Sequence, residues 1–130
     1  MYYDKSYSLI ISAQEGHNLS NLIRDFKRHT SLEIRKSLAS NCQESRREWI
    51  LLKMIELGYA NMRNSKYQFW QQNNHPIELN TNEMIDQRLD YIHNNPVEAG
   101  FVNDPSSWIW SSCSSYENGI NDKMPLIYID

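Results

Sequence analysis

Between residues 19 and 38 the chain places Leu19, Leu22, Ile23, Phe26, Thr30, Ile34 and Leu38 at steps of three and four. That spacing keeps one stripe in register on a helix of 3.6 residues per turn and would scatter over both faces of a strand. A long amphipathic helix is therefore the first element this chain must accommodate, and whatever else folds has to cover its stripe. Asn18 or Ser20 can cap its start. Its opposite face carries Arg24, Lys27, Arg28, Arg35 and Lys36, a row suited to phosphate contact.

The remaining elements are shorter. A second helix is expected from about Glu44-Ser45 through Trp49, Leu52, Met54, Ile55 and Leu57 to a stop at Gly58. Asn61 to Lys66 reads as a polar loop. A third helix should begin at Thr81-Asn82-Glu83, where Thr81 or Asn82 caps and Glu83 favours the positive helix end, and run to Asn94 before Pro96 and Gly100 stop it. Tyr7 to Ala13, Tyr67 to Gln71 and Leu126 to Ile129 are rich in β-forming residues and read as strands. The aromatic tail from Phe101 to Tyr116 should pack on the core.

A chain of 130 residues is expected to form one domain over 1–130. No apolar run approaches the length of a membrane span, and Met1-Tyr2-Tyr3-Asp4-Lys5 lacks the basic and apolar regions of a signal peptide, so the cytoplasm is the expected compartment. Cys42 and Cys113 have no metal-knuckle spacing and read as reduced structural thiols. The net charge of -3 conceals a segregation: residues 24–66 carry ten Lys/Arg against five Asp/Glu, and residues 67–130 carry two against nine. A basic middle joined to an acidic end suits a molecule with one face for phosphate.

Asp90-Tyr91-Ile92-His93-Asn94-Asn95-Pro96-Val97-Glu98-Ala99-Gly100, together with Tyr67-Gln68-Phe69-Trp70-Gln71-Gln72-Asn73-Asn74-His75-Pro76-Ile77-Glu78-Leu79, closely resembles the REP-associated branch of the single-tyrosine transposases of the HUH superfamily. Leu22 to Arg28 and Trp110-Ser111-Ser112 look like segments of the same family. The resemblance implies an α+β fold, a ferredoxin-like (RRM-like) antiparallel sheet with helices packed on one face. It is truncated here, because the family's first strand and helix have no counterpart. Sheet edges left unpaired would be met by a homodimer, by rearrangement, or by marginal stability.

The family nicks and rejoins single-stranded or hairpin DNA near palindromic repeats through a phosphotyrosine intermediate, with Mg2+ or Mn2+ as cofactor. Tyr91 takes the place of the nucleophile. Asn95, one helical turn on, shares its face and is a weak candidate for a metal ligand. Ser6 and Ser8 stand where the family's two metal-binding histidines belong, and hydroxyls replace imidazoles poorly, so cleavage by this chain is not expected. His17, His29, His75 and His93 offer no ligand spacing of their own. Arg24, Lys27, Arg28, Arg35 and Lys36 are then the phosphate contacts, and Gln72, Asn73 and Asn74 the amides for bases. The alternatives are an inactive remnant and a protein-interaction module anchored by Trp49, Trp108 and Trp110.

Overall fold

The computed structural model describes residues 7–61, 66–72, 74–119 and 125–129, so Ser6 and Asn73 lie outside the described residues. It contains four α-helices: α1 (Leu19–Ser40), α2 (Arg47–Ala60), α3 (Asn82–Glu98) and α4 (Cys113–Asn118), with a 3-10 turn at Pro105–Ser107. The described chain divides into two compact units, Ser12–Pro76 on the one hand and Met1–Ile11 with Ile77–Asp130 on the other.

The expected antiparallel sheet is not formed: no strand occurs among the described residues, and the ferredoxin-like α+β assignment is corrected to a helical architecture. A strand is an agreement between two segments, and β-forming composition cannot supply the second one. Residues 67–71 show where their backbone groups go instead. The Gln68 N–H donates to the Met54 carbonyl inside α2 at 2.9 Å, and the Gln71 carbonyl accepts from Lys27 Nζ at 2.7 Å. Residues 7–13 and 125–129 are likewise irregular.

In the Ser12–Pro76 unit, α1 starts where Asn18 accepts from the Asn21 N–H at 3.1 Å. It packs on α2. Met54 is the buried apolar residue here, at 3% exposure, and Gly58 is buried one turn on. Gly58 does not end α2, as its composition suggested; the helix continues to Ala60. A Cβ at Gly58 would lie 2.5 Å from the Lys66 carbonyl oxygen and 2.6 Å from the Tyr67 nitrogen, so the glycine is there to let the returning chain cross the helix. Trp70 closes the other end of this crossing, donating from Nε1 to Thr30 Oγ1 at 2.8 Å with its ring against Phe26 and Phe69.

In the second unit Thr81 caps α3 by accepting from the Met84 N–H at 3.2 Å. Pro96 does not stop this helix but lies buried within it. The stop comes at Gly100, whose φ of 75° is left-handed. The Phe101 N–H reaches the Pro96 carbonyl and the Gly100 N–H reaches the Val97 carbonyl, each at 2.9 Å, the paired closure of a Schellman cap. The 3-10 turn packs against both α3 and α4. Asp104 caps it, and hydrogen bonds from Ser106 hold its carboxyl below the usual range. Phe101 stacks on Trp108.

Candidate nucleic-acid interface and candidate nucleophile

The basic residues of α1 fall into distinct groups once the structure is in view. Arg24, Arg28 and Arg35 sit at i, i+4 and i+11, within about 40° of one another around the helix and spread over roughly 16 Å of its length. Arg24 and Arg28 are exposed. Arg24 is held by Asn21 Oδ1 and Asp25 Oδ1, each at 3.0 Å. Arg35 is half-buried, with its guanidinium carbon 4.1 Å from the centre of the Tyr67 ring. Lys36 is exposed and donates to Glu33 Oε1 at 2.9 Å; that bond and its charge hold the Glu33 carboxyl below the usual carboxylate range.

Lys27 is placed differently. Its ammonium donates to the Gln71 carbonyl at 2.7 Å and to Asn74 Oδ1, so it clasps the segment that follows Trp70. The structure thus brings together Lys27 and Asn74, with Gln72 exposed on the same short segment. An open groove of about 360 Å³ lies between α1 and α2, lined by Arg35, Lys36, Ala39, Leu51, Ile55 and Tyr67. Leu51, Ile55 and Ala39 carry no mark in the sequence that would assign them to it, because the pairing of α1 with α2 is a tertiary fact.

Tyr91 lies in the other unit, on α3, and its side chain is 51% exposed. Helical spacing puts Asn95 on the same side of α3, as expected, and adds Arg88 one turn earlier and Gln87 beside it. Arg88 was legible from its i−3 spacing to Tyr91. The rest of α3 is acidic, with Glu83, Asp86, Asp90 and Glu98 against that single cation. A phosphodiester approaching Tyr91 meets repulsion that Arg88 alone offsets in part.

His93 faces the opposite way. It is 9% exposed and its Nε2 lies 2.9 Å from Ser112 Oγ, with the imidazole edge-on to Tyr116 at 5.6 Å. Burial pushes its pKa below the ordinary value, against the smaller upward pull of Asp90 and Glu117. His93 is a buried bridge from α3 to the start of α4. Tyr116 in turn meets Tyr128, whose hydroxyl donates to the Ser115 carbonyl at 3.3 Å. These contacts brace the helix that carries Tyr91 from behind. Cys113 is buried beside them as a free thiol, and burial pushes its pKa up.

The metal implied by the resemblance finds a poor donor set. No group of three or more His, Cys, Asp or Glu side chains among the described residues is arranged to hold an ion. Ser8 is exposed, Ser6 lies outside the described residues, and Asn95 contributes one amide oxygen. Mg2+ is held by one or two carboxylates with waters completing its six oxygens, and one amide oxygen with a serine hydroxyl does not supply that charge. No helix among the described residues is long and apolar enough to cross a membrane. A comparison of the chain with protein-family models, with curated proteins and with solved structures finds no match.

Proposed function

We propose that this chain is a DNA-binding protein of the single-tyrosine transposase lineage, which engages single-stranded or hairpin DNA through α1 and does not cleave it by the family's metal-dependent route. The observation that carries the reading is the arginine stripe, Arg24, Arg28 and Arg35, on a helix whose segment holds the chain's positive charge. Arginines at this spacing meet successive phosphates, and the Arg35–Tyr67 stack offers an aromatic edge beside them. Lys27 contributes by anchoring Gln71 and Asn74, beside which the exposed Gln72 is the amide for bases.

Tyr91 supports the lineage by its exposure and by its Asn95 neighbour. The donor set supports the loss of chemistry: a tyrosine attacking a phosphodiester needs its developing charge neutralised, and α3 is net acidic. A second reading, a protein-interaction module, is favoured by Trp49 and Trp110, which are 62% and 75% exposed.

Anisotropy of a labelled hairpin oligonucleotide, titrated across salt concentrations, separates these readings. DNA binding predicts an affinity that falls steeply with salt, with a log–log slope reduced by about one on Arg28→Ala. Absence of salt-sensitive binding overturns the reading. Incubation with Mg2+ or Mn2+ tests the second half: a covalent adduct that disappears in Tyr91→Phe would restore cleavage.

A further inference from the structure

We infer that the groove between α1 and α2 receives one unpaired base of the bound DNA, drawn out of its stack. The inference rests on the DNA-binding reading and adds to it the part of the nucleic acid that is recognised. Arg24, Arg28, Arg35 and Ala39 stand at i, i+4, i+11 and i+15, within about 60° of one another around α1. The arginine stripe therefore runs along the helix into the groove, whose α1 side is Arg35, Lys36 and Ala39. A strand whose phosphates follow the stripe arrives at that opening.

The lining suits an apolar plane with a negative charge attached to it. Leu51 and Ile55, one turn apart, form the α2 side. Tyr67 is brought to the groove by the crossing at Gly58, where the 66–67 backbone lies against α2, and by the bond from the Gln68 N–H to the Met54 carbonyl. The two charged lining residues, Arg35 and Lys36, are both cations, and among the described residues no carboxylate lines the groove. Arg35 is held over the Tyr67 ring at 4.1 Å, which fixes a guanidinium beside the apolar walls. Aromatic rings and guanidinium planes are the surfaces on which splayed-out bases stack, and the same cation can meet the phosphate that the base carries with it.

Size and access select a base that has no partner. At about 360 Å³ the groove lies at the small end of ligand sites, the scale of one nucleotide rather than of a duplex. A paired base is covered on its edge by its partner and on its faces by its neighbours, so a loop or bulge nucleotide pays least to leave the stack. Stacking and apolar burial accept any base, since each has a π-face. The groove should therefore tell an unpaired nucleotide from a paired one without telling one base from another.

Two hairpins with the same stem and the same number of phosphates test the inference, one with a loop of thymines and one with an abasic loop. The abasic hairpin is expected to bind about tenfold more weakly at an unchanged log–log salt slope. Ala39→Leu narrows the groove from an exposed helical position that leucine suits, so circular dichroism should show the helices unchanged. That variant should bring the two hairpins to equal affinity. Equal affinities in the unaltered chain, or a preference for the thymine loop that survives Ala39→Leu, would overturn the inference, and salt-sensitive binding in the same titrations would leave the DNA-binding reading standing. Absence of salt-sensitive binding to either hairpin would overturn both.

Discussion

Gly58 and Lys66 approach so closely that a single methyl group on the first would strike the backbone of the second. Gly58→Ala should gain about 1 kcal/mol of helix propensity and lose more than that in displaced backbone, for a net destabilisation of roughly 1–3 kcal/mol. Urea unfolding of the variant should show a lowered midpoint at unchanged slope. A stabilised variant would mean that the chain crosses α2 elsewhere.

His93 gives stability a pH dependence of definite sign. Its folded pKa lies below the ordinary 6.5, so the unfolded chain binds the proton more readily. The contribution is complete above 6.5 and is lost as pH falls through the folded value, despite the favourable charges of Asp90 and Glu117. The urea midpoint should therefore fall on acidification below that point, and His93→Gln should flatten this part of the profile. A midpoint that rises on acidification would contradict the buried neutral imidazole.

Trp70 and Thr30 are joined by one side-chain hydrogen bond. Trp70→Phe and Thr30→Val should each cost about 1 kcal/mol or more, and a double-mutant cycle should return a coupling of about 0.5–1.5 kcal/mol. Additive effects would show that the bond contributes nothing.

Lys27 and Arg28 are neighbours in sequence with different work. Arg28→Ala should lower the salt slope of DNA binding by about one while leaving thermal stability unchanged. Lys27→Met should do the reverse in emphasis, releasing Gln71 and Asn74 and lowering the melting temperature, with amide exchange at Gln72 and Asn74 as the local readout.

The parts of the fold legible in the sequence are those written locally. Asn18 and Thr81 announce helix starts because a cap bonds a backbone amide three residues away, and the α1 periodicity spans its whole length. What failed was everything that depends on a distant segment. Tyr67 to Gln71 has strand composition, but its amide went to Met54. Gly58 looked like punctuation because the chain that crosses it is remote in sequence. Pro96 looked like a stop because its missing N–H is a local fact, whereas the burial that retains it in α3 is not. α4 was not anticipated at all, since Ser111, Ser112, Ser114 and Ser115 have weak helix propensity and Cys113 becomes an anchor only when buried. At the candidate site, Tyr91 and Asn95 share a face as spacing requires, while the contrast between an exposed Arg28 and a Lys27 bonded to Gln71 and Asn74 emerges only in three dimensions.

The Thr30 hydroxyl takes a proton donor from Trp70 while giving its own proton to the Phe26 carbonyl at 2.8 Å. Valine would keep the shape and forfeit both bonds, and a change at Trp70 would leave the hydroxyl with half its purpose. The two positions are thus epistatic: a change at either is tolerated best when the other changes with it, so the pair should be kept or lost together.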